Sequence, residues 1–185
     1  MLYRIKWLIF LSVCFFCNSF IPADHIYSVK KGSIVFRSEA ISELIQASSN
    51  ALKGKINIEK KMFAFAVSTK TFSGFNSPLQ EEHYTENYLE SNKFPDATFS
   101  GKIIEDIDFT KDGNYTVRAK GILNIHGQPK ERILKCEITL KNGIIHVQSN
   151  FTVLLSEHNI PIPKVVHEKL ASEIKVEVKA ELTIQ

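Results

Sequence analysis

The chain has 185 residues, of which 44% are hydrophobic, which is enough for one compact domain with a sizeable core and gives no reason to expect a second domain. Its formal net charge is +3, which is well below the strongly basic charge typical of proteins that bind nucleic acid or anionic membrane surfaces. Thirteen Phe against one Trp and two Met is a composition typical of β-rich cores.

The first segment has the pattern of an export signal. Arg4 and Lys6 precede an apolar run over 7–16, and small residues follow for a cut after Ser19. The run is about half of the ~20 residues that a membrane-spanning helix needs, and the bulky residues before Cys17 disfavour a lipid anchor there. We therefore predict a signal peptide over 1–19 and a mature domain over 20–185 with no stable membrane span.

Removal of this segment changes the charge and the cysteine count of the domain. The segment contains two basic residues and no acidic residue, so the formal charge falls to about +1. Cys136 then remains as the one cysteine of the mature chain, and it cannot form an internal disulfide. The exported domain must therefore be stable through its core alone.

Alternation of apolar and polar residues dominates the mature chain and predicts β-strands. Over 174–184 every second residue is apolar and the residues between them are Lys, Glu or Thr. The stretches 63–68, 99–103, 115–125 and 134–140 repeat the pattern. Turn-forming residues at 111–114, 126–129 and 141–143 separate these stretches, and such short connections indicate antiparallel neighbours.

Two segments break the alternation and predict short helices. Residues 81–91 carry Tyr84 and Tyr88 at helical spacing and end before Pro95, where a helix does not easily continue. Residues 163–172 begin with a proline and place apolar residues four apart. Many antiparallel strands with one or two short helices favour a mainly β fold, either a closed barrel or a sandwich.

Small residues at inward strand positions leave space in the interior of the predicted β fold. Ala119 and Gly121 are consecutive on the apolar face of their strand, and Gly101 follows Phe99 on the inward face of another strand. The volume that they leave is filled either by bulky neighbours or by a ligand, and the tight packing of protein interiors favours the neighbours. The many aromatic residues between positions 72 and 99 either close the end of a core or form an apolar mouth.

The sequence contains no pattern typical of catalysis or of metal binding. His-Glu-x-x-His, Gly-x-Ser-x-Gly and glycine-rich phosphate loops are all absent, and the six His are scattered. Cys136 lies on an apolar strand face, where a thiol is usually inert, and His126 precedes a glycine in a turn, which favours a packing role. We therefore expect a non-enzymatic protein with no resident metal or cofactor.

Three segments of the sequence, in order along the chain, resemble the YceI-like family. They are EHYTENYLESNKFP at 82–95 with Phe99, GILNIHGQPK at 121–130, and Phe151 followed by IPIP at 160–163 and the closing strand. The resemblance implies an extended, lipocalin-like antiparallel β-barrel of about eight strands with its helices near the barrel mouth. It also implies a periplasmic location. Residues 156–159 depart from the family's usual acidic and aromatic pattern there, a difference that concerns the mouth or a partner surface and not the barrel.

The resemblance further implies that a long isoprenoid-type chain lies in the barrel, held by a diffuse apolar lining. We therefore expect a carrier of a long-chain isoprenoid or quinone-like lipid, and a homodimer is compatible with this function. A ligand-free stress-response or interaction module, its barrel filled by Phe side chains, is the alternative, and an enzyme acting on a lipid inside the barrel is less favoured. We expect His83 and Glu86 at a polar rim. The residues that we expect to bind the ligand are Phe36, Phe65, Phe72, Phe75, Tyr84, Tyr88, Phe94, Phe99, Ala119, Gly121 and Leu123.

Overall fold

The computed structural model describes residues 25–185, so the signal peptide predicted over 1–19 lies outside the described residues. Nine strands dominate the described chain, together with one short helix, α1. The strands are β1 (Ile26–Glu39), β2 (Leu44–Ser49), β3 (Lys53–Asn57), β4 (Met62–Ser68), β5 (Asp96–Ile103), β6 (Gly113–Ile125), β7 (Gln128–Lys141), β8 (Ile144–Leu154) and β9 (Glu173–Ile184). Helix α1 (Pro78–His83) continues as a π-helical turn (Tyr84–Tyr88), and 3-10 turns lie at Thr69–Thr71, Leu155–His158 and Lys164–Val166.

The sheet closes on itself because β1 pairs with β9. On its other side, β1 pairs with β3 through residues 26–28 and with β2 through residues 34–39, so β2 and β3 share one position in the ring. Every pairing is antiparallel, and the ring counts eight positions. The predicted eight-stranded antiparallel barrel is confirmed, and the sandwich is not formed.

The predicted alternation is visible in the burial of the strands. On β9, Ile174, Ala180 and Leu182 are buried, whereas Lys175 and Lys179 are exposed. Strand β7 shows the same arrangement over its second half, where every second side chain is buried. Each strand therefore has one face on the barrel interior and one face in water.

The two ends of the barrel differ. The β1–β2 hairpin tip, segment 69–95, the β6–β7 turn and segment 155–172 all lie at one end, which we call the helical end. The β3–β4, β5–β6 and β7–β8 connections lie at the other, which we call the closed end. Side chains fill the closed end, where Ile145 and Leu182 face each other across β8 and β9 with no exposed surface. Leu140, Tyr115 and Phe109 belong to the same packed cluster.

Helix α1 begins at Pro78, three residues before the start that the sequence predicts. Ser77 accepts a hydrogen bond from the Gln80 backbone N–H at 3.2 Å, and a proline at the first helical position suits the helix start. The helical path ends at Tyr88, and Glu90 has a left-handed φ of 44°. The predicted stop before Phe94-Pro95 is therefore met.

The second predicted helix, over 163–172, is wrong. A 3-10 turn at Lys164–Val166 and a hydrogen-bonded turn from Val166 to Leu170 form there instead. After Leu170 the helical path stops, and the Ala171 backbone N–H donates to the Ser38 hydroxyl on β1 at 2.9 Å. That contact between distant parts of the chain replaces a local helical hydrogen bond, and it ties segment 155–172 to the barrel wall.

Candidate functional site

A cavity of about 460 Å³ lies inside the barrel. All nine strands contribute lining residues, and on β6 the lining extends from Val117 to Ile125. Eight residue steps correspond to roughly 26 Å along a strand, or about 20 Å along the axis of a barrel whose strands tilt by about 40°. The volume falls within the range of ligand pockets, about 300–1,000 Å³.

The interior surface of the cavity is apolar and is not completely packed. Phe65, Phe99, Val147 and Val178 face the cavity, yet they keep part of their surface accessible. Inward side chains of a filled barrel would instead be buried by their neighbours, as Ile145 is at the closed end. The helical half of this barrel is therefore hollow and the closed end is solid.

The cavity opens at the helical end. Among the lining residues that the structure describes, only His83 and Lys169 are exposed, and both belong to segments at this end. Strand β2 contributes to the opening because no strand of the described chain pairs with its second edge, where the backbone pairing is limited to an isolated bridge from Ser48 to Ser73. Segment 69–95 therefore covers a place where the wall is incomplete.

Four aromatic rings form a cluster beneath the opening. Tyr84 stacks on Phe36 with ring centroids 5.4 Å apart, and it contacts Phe75 at 5.0 Å and Phe72 at 5.9 Å. Burial raises the pKa of the Tyr84 hydroxyl, which therefore stays protonated. That hydroxyl has no hydrogen-bond partner among the described residues, so it is a donor available to a ligand.

Polar groups at the opening come from separate elements. The Gln80 amide on α1 donates to Glu43 at 2.5 Å, and the Asn76 amide donates to the same carboxylate oxygen at 3.3 Å. Of the two residues expected at a polar rim, His83 lines the cavity and Glu86 does not. Glu43, Gln80 and Lys169 were missed because no spacing in the sequence links them; closure of the barrel alone brings them together.

Nine of the eleven residues predicted from the sequence line this cavity, and Phe94 and Gly121 do not. Whether the nine bind a ligand remains a prediction. The nine lining residues are Phe36, Phe65, Phe72, Phe75, Tyr84, Tyr88, Phe99, Ala119 and Leu123.

Gly121 serves the wall rather than the cavity. It faces Gly101 across β5 and β6. A Cβ on Gly101 would lie 2.1 Å from the Lys120 carbonyl oxygen, and a Cβ on Gly121 would lie 2.3 Å from the Ser100 carbonyl oxygen. Both positions need glycine because the two backbones approach too closely for a side chain, so these small residues do not account for the hollow.

Phe94 packs over the β6–β7 turn. Its ring contacts the His126 ring edge-on, with the two ring centroids 4.6 Å apart. A Cβ on Gly127 would lie 2.4 Å from the Phe94 ring, so the turn has no room for a side chain at that position. His126 donates from Nδ1 to the His158 carbonyl at 3.0 Å, and its Nε2 lies 2.6 Å from Glu90. The structure confirms the packing role expected for His126. Through Glu90, His126 also anchors the residues that follow the π-helical turn at Tyr84–Tyr88.

Buried His158 predicts a loss of stability in mild acid. Its Nδ1 donates to the Gln128 carbonyl at 3.1 Å, while Nε2 is buried without a partner among the described residues. Burial lowers the pKa of His158, so the folded state holds its proton less tightly than the unfolded state, whose pKa is about 6.5. The stabilising contribution is therefore present above pH ~6.5 and is lost as the pH falls toward the lower folded value.

The measurement is the free energy of unfolding in urea at pH 7.5 and pH 5.5. We expect His158→Gln to reduce the pH-dependent loss, which one proton limits to about 1.4 kcal/mol per pH unit. His146→Gln, at an exposed position on β8, is the control and should behave as the parent does. An identical pH profile for His158→Gln and the parent would contradict the assignment.

Groups suited to catalysis or metal binding do not converge in the described part of the chain. Burial raises the pKa of the Cys136 thiol, which stays neutral and weakly nucleophilic. No cluster of three or more His, Cys, Asp or Glu within residues 25–185 is arranged to hold a metal ion. Across the same residues, no helix has the length and apolar character needed to cross a bilayer.

A closed antiparallel barrel with an apolar cavity open at one end defines a lipocalin-like binding barrel. The model of the YceI-like domain matches residues 27–182 of this sequence. The chain belongs to the YceI-like family. No curated protein matches the sequence.

Solved structures with the same fold come from several bacteria. A polyisoprenoid-binding domain from Saccharophagus degradans, implicated in plant cell wall breakdown, has a TM-score of 0.73 at 13% identity over 86% of this chain and 98% of its own. Burkholderia cenocepacia BcnA has a TM-score of 0.66 at 12% identity, with 81% and 95% covered. The Campylobacter jejuni YceI protein has a TM-score of 0.53 at 17% identity, with 99% and 91% covered.

Proposed function

We propose that this protein binds and carries a long-chain isoprenoid or quinone-like lipid, held in the barrel cavity. The observation that supports this most directly is the apolar hollow of about 460 Å³, which extends along β6 from Val117 to Ile125 and opens at one end only. A long cavity with an apolar lining suits a flexible apolar chain better than a compact polar molecule.

The energetics favour a tail-first orientation. Each CH₂ group that leaves water gains about 0.8 kcal/mol, so a chain of many such groups gains most from the deep apolar lining around Val117 and Ala119. Polar partners are concentrated at the helical end, where Glu43, His83 and Lys169 line the opening and the Tyr84 hydroxyl is free to donate. We infer that the head group lies there and the tail lies deep in the barrel.

The periplasm is the proposed location. The basic residues, short apolar run and small residues of the first 19 positions support export with cleavage. The YceI-like family is generally periplasmic, and one solved relative of the same fold is a polyisoprenoid-binding domain. A carrier in that compartment would move or store a lipid that cannot cross water unaided.

The alternative functions have less support. A ligand-free module with a barrel filled by its own Phe side chains would need an interior without a long cavity, and the interior here holds a cavity of about 460 Å³. A lipid-modifying enzyme would need an activated group facing the cavity. Three titratable groups that line its interior, Tyr84, Tyr88 and Cys136, have raised pKa values and stay protonated.

Native mass spectrometry of the protein purified from a bacterial periplasm, with lipid extraction in parallel, tests the proposal. We expect a discrete added mass that disappears on denaturation and matches an isoprenoid or a prenylquinone. A bare polypeptide mass that stays unchanged after incubation with prenylquinones and polyprenols would contradict the carrier function and favour the interaction module. The same spectra report the cleavage site and whether the protein is a monomer or a homodimer.

A further inference from the structure

Four large aliphatic side chains are exposed around the opening of the cavity. Ile41 and Val165 are 90% and 89% exposed, and Leu44 and Leu79 are 56% and 58% exposed. They belong to the β1–β2 hairpin tip, the start of β2, helix α1 and the 3-10 turn at 164–166, all at the helical end. We call these four residues the mouth collar.

Hydrogen bonds join the elements that carry the mouth collar. The Ser42 backbone N–H and hydroxyl both donate to the Glu168 carbonyl, at 2.9 and 2.8 Å, which ties the hairpin tip to segment 155–172. The Asn76 amide donates to the Leu44 carbonyl at 2.9 Å, which ties β2 to the residues just before α1. The collar is therefore held in place around the opening.

The most exposed aliphatic side chains of the described chain are concentrated at the helical end. Single exposed aliphatic side chains are normal on soluble proteins, whereas a group of them at one functional opening indicates an interaction surface. The other exposed large hydrophobic side chains of the described chain are 38–55% exposed, and apart from Leu154 at the helical end of β8 they are spread over the wall and the closed end. They are Met62, Ile104, Ile122, Ile133, Leu154 and Ile184.

We propose that the mouth collar inserts into the interfacial region of a lipid bilayer and so places the cavity opening against the membrane. This inference rests on the proposed function, because a long-chain prenyl lipid is almost insoluble in water and must enter or leave through a membrane surface. A second protein would fit an apolar collar too, but a bilayer is also the source of the cargo. The collar and the apolar cavity then form one continuous path for the lipid.

The chemistry of the surface predicts an apolar mode of binding. The mature chain has a formal charge of about +1, and at this end of the barrel Lys164 and Lys169 are balanced by Glu81 and Glu82 on α1, so anionic lipids gain little here. Insertion of aliphatic side chains does not depend on charge and is not screened by salt. Binding should therefore occur on vesicles of phosphatidylcholine and phosphatidylethanolamine and should persist at high salt.

Tryptophan placed in the collar reports insertion at each site. The one native tryptophan, Trp7, lies in the predicted signal peptide, so in the mature protein an introduced tryptophan is read without a native tryptophan signal. We expect Ile41→Trp and Val165→Trp to shift to shorter wavelength with these vesicles and to be quenched by brominated acyl chains. Ile133→Trp, on the outer face of β7 and 55% exposed, is the control and should show neither effect.

Charge substitutions test whether the collar drives binding. Ile41→Asp with Val165→Asp should weaken vesicle binding at least about tenfold, because burial of even one aliphatic side chain contributes that factor. Ile133→Asp should bind vesicles as the parent does. Neither variant changes a residue that lines the cavity, so lipid supplied in detergent should still be retained.

The outcomes separate this inference from the proposed function. If lipid is retained but the collar tryptophans show no shift or quenching, the membrane inference is wrong and the carrier function stands. If Ile41→Asp instead abolishes a concentration-dependent dimer of the free protein, a second copy covers the collar, and the membrane inference is again overturned. If no lipid is ever retained, the carrier function fails whatever the vesicles show.

Discussion

Replacing Ala119 with Phe should remove most lipid binding while leaving the barrel at least as stable as the parent. Ala119 lies in the middle of β6, lines the cavity and is 6% exposed. A phenyl ring there occupies space that about four CH₂ groups of a ligand would use. At about 0.8 kcal/mol each, that amounts to about 3 kcal/mol, or a loss of affinity on the order of 100-fold.

The effect on stability distinguishes a blocked cavity from a damaged fold. Filling an existing hollow typically adds about 0.5–2 kcal/mol to the free energy of unfolding, whereas overpacking a solid core costs about 1–3 kcal/mol. The measurement is the retention of a prenylquinone, counted by extraction, together with unfolding in urea. Ala64→Phe, on the exposed outer face of β4, is the matched control and should retain the lipid.

A second, smaller substitution tests the same cavity in case the Ala119→Phe variant does not fold. Ala180→Leu, on β9, also lines the cavity and adds a smaller side chain, so it should lower retention by a smaller factor. If Ala119→Phe and Ala180→Leu both fold and retain as much prenylquinone as the parent, the ligand does not lie in this cavity.

Truncation of Ile145 to Ala should be among the most destabilising single changes in the protein. Its side chain has no exposed surface and faces Leu182 on β9 and Leu140 on β7, in the solid closed end. Buried Ile→Ala substitutions cost about 2–5 kcal/mol, and the tight packing here places this one toward the upper limit. A typical domain is stable by only about 5–15 kcal/mol in total, so this single change removes a large share.

The same substitution in the hollow half should cost much less. Ile45 on β2 lines the cavity and is partly exposed, so its truncation removes fewer contacts and enlarges a space that already exists. We expect Ile45→Ala to lower the free energy of unfolding by about 1–2 kcal/mol. Equal losses for the two variants in urea unfolding would contradict the division into a solid end and a hollow end.

Several elements could be predicted from the sequence because their signals are local. Period-two alternation predicted β9 in full, since each residue's side of the sheet follows from its position along the strand. The turns at His126-Gly127 and Asn142-Gly143 were evident from their residue types, and the structure has positive φ at all four positions. Alternation alone was compatible with either a closed barrel or a sandwich, and the family resemblance favoured the closed barrel.

Other features could not be predicted because distant contacts override local pattern. Residues 163–172 have a helical spacing, yet the Ala171 N–H bonds to Ser38 on β1 and the helix does not form. Gly121 has the size of a cavity residue, yet its contact with the β5 backbone places it in the wall. Phe94 is as apolar as Phe99, and only the path of the chain after α1 places it over a turn.

The sequence by itself determined five of the nine strands, β4 to β7 and β9, together with the antiparallel order and the apolar character of the interior, because these follow from residue type and from spacing along the chain. The tertiary structure decided that the closed end is solid and the helical end is hollow. It also decided that Glu43 and Lys169 lie at one opening, ringed by the mouth collar. These properties depend on the pairing of β1 with β9 and on loops that meet across the barrel end, and no local pattern encodes contacts between residues so far apart.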